Sequence, residues 1–316
     1  MILIHARQSD FTTLKVIQWL IECFKKDILR INSIMDIVPT LQFNFDHKTS
    51  SLPFKSYYFN GGNPAFRPEQ IFREEYQELN LQLSKRLFDD FISVFNASFD
   101  IDLEQKRIFG LNPFQSYQNH KIKALSLAKS TGLKIPSSEV INNKKALLSF
   151  LKKHGNIITK SITNGADFKN SEVLINGERT EIVTDKMVEN LPQVFYPMLF
   201  QVNVKKQFEV RCFYFRDQFY SIAIFTYSES TNVDCRNRNF NDPNREVPFQ
   251  LPLKIQSKLS NLMKQLGLNY GSIDLILGTD DEYYFLEVNE SGQYGFVSTA
   301  GNFHIEKQIA QYLAYE

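Results

Sequence analysis

Gly271-Ser272-Ile273-Asp274-Leu275-Ile276-Leu277 is joined by Gly278-Thr279-Asp280-Asp281-Glu282 to Tyr283-Tyr284-Phe285-Leu286-Glu287-Val288-Asn289. Both flanks alternate in hydrophobicity and the joint is rich in turn residues, the pattern of an antiparallel hairpin. With the turn centred on Asp280-Asp281, Asp274 lies directly opposite Glu287. Ile273, Leu275, Leu277, Leu286 and Val288 then share the buried face, and Ser272, Asp274, Glu287 and Asn289 share the other. Directly opposed residues have Cβ atoms only about 5 Å apart, so two carboxylates there repel unless a cation comes between them. Asp274, Glu287 and Asn289 offer three hard oxygen ligands on a rigid face. That set suits Mg²⁺, whose remaining positions go to water and phosphate oxygens. The competing reading is a hairpin whose acidic face is simply solvated.

Upstream, Phe208 to Phe215 alternates, turns at Arg216-Asp217 and returns as a partner strand over Phe219 to Thr226. Glu209, Arg211, Phe213 and Phe215 fall on one face, and Phe208, Val210, Cys212 and Tyr214 on the other. A carboxylate and a guanidinium on so apolar a strand need partners. They are either a structural ion pair, or a contact for a sugar hydroxyl (Glu209) and one for a phosphate or carboxylate (Arg211). Asp234-Cys235-Arg236-Asn237-Arg238-Asn239 is a polar, basic loop, an exposed turn by itself and an anion clamp if it stands beside a metal hairpin. Asn156-Ile157-Ile158-Thr159-Lys160 is a strand ending in a lysine, followed by the small-residue loop Ser161-Ile162-Thr163-Asn164-Gly165. Lys160 and the loop N–H groups can hold phosphates; otherwise Lys160 is a surface residue. Between Asn119 and Pro136, Ile122, Leu125 and Leu127-Ala128 mark a short amphipathic helix with a stop at Gly132.

The N-terminal half reads as an α/β domain. Met1 to His5 is a buried strand. Thr12 or Thr13 caps a helix with Leu14, Ile17, Trp19-Leu20 and Phe24 on its apolar side, and Asp27 to Asn32 returns as a second strand. This βαβ unit lacks GxGxxG after its first strand, which removes the main support for a dinucleotide site. Leu41 to Phe45 and Ser56 to Asn60 follow as strands, Pro68 to Phe95 as a long helix, and a boundary falls near Arg107 to Pro113.

The chain of 316 residues is 43% hydrophobic, enough for a core split over two or three subdomains. Lys+Arg 36 against Asp+Glu 35 leaves a net charge of +1, so nothing demands nucleic acid or an anionic membrane as partner. Cys23, Cys212 and Cys235 are far apart and in no metal-ligand spacing, as in a reduced cytosolic protein. No signal peptide or membrane span is apparent. The expectation is a soluble cytoplasmic protein.

The order of the pieces carries a resemblance. A helix opened by Lys121, the strand lysine Lys160, the Phe200-Gln201-Val202-Asn203 linker, Glu209-Val210-Arg211, the Asp234-x-Arg236 loop and the Asp274/Glu287/Asn289 hairpin follow one another as in an ATP-grasp ligase. Three stretches resemble the microviridin-type peptide macrocyclases (graspetide ligases), particularly the "grasp-with-spasm" maturases. They are Met1 to Asn32, Gly132-Leu133-Lys134-Ile135-Pro136, and Leu286-Glu287-Val288-Asn289-Glu290-Ser291-Gly292-Gln293-Tyr294-Gly295. The resemblance implies an α/β fold in three parts: a pre-ATP-grasp domain (1–110), a central subdomain (111–200) and a C-terminal subdomain (201–316), the last two clamping the nucleotide.

Carried over residue by residue, the resemblance implies ATP and Mg²⁺ as cofactors, with the metal on Asp274, Glu287 and Asn289. Lys121 and Lys160 would neutralise phosphates, Gln201, Val202, Asn203 and Val204 would line the adenine through backbone groups, and Glu209 would take the ribose. Arg211 and Arg236 would face the triphosphate and the substrate carboxylate. The implied partner is a ribosomal precursor peptide with leader and core, and a homodimer is allowed. The implied reaction joins Asp or Glu side chains to Thr or Ser hydroxyls or Lys amines through acyl phosphates. The sequence departs from the pattern in four places. Val202 stands where relatives carry an acid, the loop after Lys160 is poor in glycine, no aromatic separates Asp234 from Arg236, and Asn289-Glu290 replaces Asn-Pro. A small-molecule carboxylate–amine ligase and a non-catalytic ATP-gated binding protein would use the same metal and nucleotide residues.

Overall fold

In the computed structural model, which describes residues 1–6, 9–31, 55–60, 90, 109–111, 121–162, 168–169, 174–175, 180–226 and 243–315, β1 (Ile2–Ala6) is buried along its whole length. It is followed by α1 (Phe11–Gln18), which continues as a π-helical turn over Trp19–Cys23. β2 (Ile28–Ile31), β3 (Ser56–Asn60) and β4 (Phe109–Leu111) complete a parallel sheet of order β2-β1-β3-β4. Parallel strands sheltered on both faces read as unbroken apolar runs, which is why Ile2-Leu3-Ile4 shows no alternation. The helix cap is Asp10 rather than Thr12 or Thr13: its Oδ1 accepts from Thr13 N at 2.7 Å. Starting there, the inward stripe runs through Thr13, Val16 and Leu20, and Leu14, expected inside, is 41% exposed. Thr13 is turned inward because its hydroxyl accepts from Asn60 Nδ2 at the end of β3.

The strand expected at Leu41 to Phe45 and, apart from Asp90, the helix expected at Pro68 to Phe95 lie outside the described residues. The chain divides into two compact units, Met1–Tyr117 with His304–Glu316, and Gln118–Phe303. β4 thus stands in the sheet of the first unit.

In the second unit, α2 (Lys121–Ser130) ends in a left-handed Gly132, φ 80°. β5 (Ser138–Asn143), α3 (Lys144–His154), β6 (Ile157–Lys160), the short ribbon β7 (Phe168–Lys169) and β8 (Leu174–Ile175), β9 (Glu181–Ile182), α4 (Asp185–Asn190) and β10 (Val194–Val202) follow. Strands β5-β10-β6-β9 form an antiparallel sheet. Its core is Ile141, Leu147, Phe150, Ile157, Val188 and Phe200, contributed by the sheet, α3 and α4.

A second antiparallel sheet, of order β13-β12-β11-β14-β15, is built from β11 (Lys206–Phe215), β12 (Gln218–Phe225), β13 (Arg245–Phe249), β14 (Tyr270–Gly278) and β15 (Tyr283–Asn289). Arg216 and Asp217 both take positive φ in the β11–β12 turn, matching the twist of a two-residue hairpin. Helix α5 (Leu253–Gln265) presents Leu259, Leu262 and Met263 to Val210, Cys212, Ile273 and Leu275 of this sheet, and α2 adds Ala124, Leu125 and Ala128 to the same core. Each such aliphatic side chain, fully buried, contributes roughly 1.5–3 kcal/mol. The faces assigned to β11 hold, with Val210, Cys212 and Tyr214 in this core.

Helix α6 (Gly295–Gly301) closes the second unit, and α7 (Ile305–Tyr315) packs in the first, where Ser56 Oγ donates to Leu313 O at 2.9 Å. Among the described residues no helix is long and apolar enough to cross a membrane.

Candidate active site

The hairpin register is the one the turn predicts at its critical row. Asp274 pairs with Glu287 and Ser272 with Asn289, and β11 adds a third member to each row, Arg211 beside Asp274 and Phe213 beside Ser272. Residues of one row project from the same face. Arg211, Asp274 and Glu287 therefore line up across three strands. Arg211 Nη1 lies 2.8 Å from Asp274 Oδ1, an ion pair in which that oxygen receives no aligned hydrogen bond.

One step on, the register slips. Leu275 faces Phe285, which leaves Leu286 as the extra residue of a β-bulge. Phe285, not Leu286, takes the core position beside Val288, and Leu277 is only half-buried. The cause is tertiary: Phe285 N donates to Lys134 O (2.8 Å), and the segment after α2 bridges to β15 there.

Two lysines meet this row. Lys121, the first residue of α2, reaches Glu287 Oε2 at 3.2 Å and donates to Ser161 O at 3.1 Å. Lys160, the last residue of β6 in the other sheet of the unit, lies 3.9 Å from the same oxygen. Both are largely buried, at 10% and 9% side-chain exposure, which excludes the surface-lysine reading of Lys160. The cations that meet the carboxylate pair thus include the protein's own.

Their effects on the two acids differ. Burial pushes the Asp274 carboxyl up to about 7 against the pull of Arg211, with the repulsion of Glu287 and Glu209 added. Burial also works against the charge on Glu287, yet Lys160, Lys121 and Arg211 outweigh it and hold its carboxyl below the ordinary range. Burial alone raises Glu290, next to Asn289, to about 7. Among the described residues no three His, Cys, Asp or Glu side chains gather as a metal cluster. A divalent ion here would draw on two carboxylates and the Asn289 amide. The Asp274 oxygen without an aligned donor, and a carboxyl held up by burial and by its like-charged neighbours, fit a hard cation such as Mg²⁺.

Glu209 is engaged by Lys206, an ion pair the sequence reading missed. On a regular strand these two residues point to opposite faces. The register of β11 against β14 shifts between Lys206 and Phe208, so Gln207 is an extra residue that brings Lys206 round. The linker from β10 is also partly committed. Val202 N donates to Ser137 O (2.9 Å) and Asn203 N to Asn156 O (3.0 Å). Gln201 is wholly buried, with Nε2 donating to Ser138 Oγ at 2.8 Å. Arg236 with its loop, and residues 163–167 after Lys160, lie outside the described residues.

No protein-family model matches the sequence, and no curated protein does. Solved structures do. The chain is similar to a RiPP-associated ATP-grasp ligase of Chryseobacterium gregarium in complex with ADP and a leader and core peptide, at 23% identity over 99% of this chain and 96% of that one, TM-score 0.79. It is similar to macrocyclase MdnC of Microcystis aeruginosa MRC bound with precursor peptide MdnA, at 23% identity over 99% of each chain, TM-score 0.75. ATP-grasp ligase PsnB, complexed with minimal precursor, Mg and ADP, matches at 17% identity over 99% of this chain and 96% of that one, TM-score 0.76. The chain has the ATP-grasp fold, the α/β architecture the order of its motifs led us to expect.

Proposed function

We propose that this protein is an ATP- and Mg²⁺-dependent ligase that closes side-chain ester or amide bridges in a ribosomal precursor peptide. One observation carries the reading: Lys121, Lys160 and Arg211, from three separate elements, converge on the Asp274–Glu287 pair. Likeness over 99% of the chain to ligases solved with precursor peptides supports the choice of substrate.

Asp274, Glu287 and Asn289 hold Mg²⁺, which when bound neutralises and orients nucleotide phosphates. Lys121 and Lys160 leave Glu287 for the phosphate oxygens. Arg211 turns its planar fork to the γ-phosphate or the substrate carboxylate, and Arg236 shares that task. Glu209 takes the ribose on leaving Lys206, and Gln201 to Val204 border the adenine. In the first step an Asp or Glu oxygen of the peptide bonds to the γ-phosphorus in line and the bond to ADP breaks. In the second, a Thr or Ser hydroxyl or a Lys amine bonds to the acyl carbon. Phosphate then leaves, and its oxygens accept the displaced proton. Such chemistry asks mainly for positioning and charge neutralisation, which lysines and arginines supply.

The three-part division at 110/111 and 200/201, a cytosolic location and a homodimer belong to the same reading. Light scattering of the purified chain tests the last.

Mass spectrometry of a precursor peptide incubated with the protein, ATP and Mg²⁺ tests the whole. Loss of one water per bridge, dependent on ATP and matched by ADP, is the expected result, and base hydrolysis separates esters from amides. ATP consumption only with free amino acids would make it a small-molecule ligase. ATP binding without turnover on any substrate would make it a gated binding protein.

A further inference from the structure

Arg211 has a second neighbour that neither the metal hairpin nor the lysines account for. Its guanidinium carbon lies 5.7 Å from the centroid of the Phe296 ring, within cation–π range. Asp274 fixes one edge of the guanidinium at 2.8 Å. A ring below the group fixes its plane instead, and does so without using an N–H donor.

The loop leaving β15 is built to bring Phe296 there. Gly292 stands at φ 67°, and a Cβ on it would meet Tyr270 Cε2 at 2.7 Å, so the chain turns hard against the sheet. Ser272 Oγ, in the row beside Asp274, donates to Gly292 O at 3.1 Å and ties the turn to β14. Tyr294 is wholly buried, its ring 4.6 Å from that of Phe213. Val297 and Ser298 then anchor α6, and Phe296, its second residue, covers Arg211.

We propose that Phe296 is a positioning residue that holds the guanidinium plane of Arg211 for an anionic group of nucleotide or substrate. This rests on the reading of Arg211 as an anion contact. A lysine at 211 would present a point charge with no plane to orient.

Affinity for a non-hydrolysable ATP analogue with Mg²⁺, measured by calorimetry, tests it. Phe296→Leu keeps apolar bulk and removes the ring face, and should weaken binding about two- to thirtyfold, the range for a cation–π contact. Phe296→Tyr should restore it. In an Arg211→Met background, which leaves no cation over the ring, Phe296→Leu should change affinity less than about twofold, a coupling that a purely structural role would not produce. A parent that binds nucleotide while the two substitutions act additively, or a Phe296→Leu variant that binds as well as the parent, overturns the role of Phe296 alone. A parent that binds no nucleotide overturns the assigned site itself.

Discussion

Asp274 and Glu287 are direct partners across β14 and β15, yet their surroundings drive the two carboxyls apart, one up to about 7 and the other below its usual range. The asymmetry follows from how burial and the nearby cations balance at each acid. Burial raises both, but Lys160, Lys121 and Arg211 outweigh it at Glu287, whereas at Asp274 burial and the charges of Glu287 and Glu209 prevail over Arg211 and Lys160. A divalent ion between the two would remove the repulsion, which is what the proposed Mg²⁺ site requires.

Asp274→Asn and Glu287→Gln keep shape and remove charge, and each should abolish ADP release and bridge formation. Measured without Mg²⁺ and nucleotide, their stabilities should diverge. A free Asp titrates near ~3.9, and the folded Asp274 is raised to about 7. The folded state therefore binds more protons between those values, and this group's contribution to stability falls as pH rises through the window. Asp274→Asn should flatten that slope in thermal melts between pH 4 and 8 (roughly the titration range). Glu287→Gln should flatten it less, because it removes only the repulsion of Glu287 and leaves burial, the largest cause of the Asp274 shift, in place. Undiminished turnover in both variants would remove the metal assignment.

Lys121→Met keeps the apolar stem of a side chain packed at the start of α2 and removes the ammonium 3.2 Å from Glu287. A hydrogen bond to a charged group is worth about 1.5–3 kcal/mol, so nucleotide affinity should fall roughly ten- to hundredfold. The fold should survive, because Lys160 still faces Glu287. Unchanged ATP affinity in a titration would return Lys121 to a structural ion pair.

Gly292→Ala puts a methyl group 2.7 Å from Tyr270 Cε2 and 3.3 Å from Phe213 Cε2, on a backbone with φ 67°. Left-handed backbone costs a non-glycine residue roughly 1–2 kcal/mol, and overpacking about 1–3 kcal/mol more. Urea denaturation should show a loss of about 2–5 kcal/mol from these two sources. A loss under about 0.5 kcal/mol, the scatter of ordinary surface substitutions, would mean that the loop is free to move off the sheet.

What could be read from the sequence was local. Alternation and one turn are enough to oppose Asp274 and Glu287, and a strand's last residue or a helix's first is visible as Lys160 or Lys121. What escaped was set by partners far along the chain. Leu286 is displaced from the core because Lys134 O claims the N–H of Phe285, and no pattern within β15 signals that. Lys206 reaches Glu209 only through the irregularity at Gln207. Arg211 meets Asp274 because β11 lies beside β14, a pairing that alternation cannot specify. At α1 the sequence pointed to Thr12 or Thr13 as the cap, whereas the cap is Asp10 and Thr13 is turned inward to Asn60.

The β11–β12 hairpin is fastened to α5 by Asp217, which accepts from Ser260 and from Tyr214 OH (3.2 Å) and faces Lys264 at 2.9 Å. The Ser260 hydrogen bond foremost, and then Lys264, hold its carboxyl below the ordinary range. A depressed carboxyl gives stability that is present above its unfolded value, near ~3.9, and is lost as pH falls toward the folded one. The side chain is about half exposed, so solvent screening keeps the contribution small. Asp217→Asn should lower the melting temperature at neutral pH, and its deficit relative to the parent should shrink as pH drops below about 4. A deficit that stays constant down to acid pH would show that Asp217 acts there through shape and not through charge.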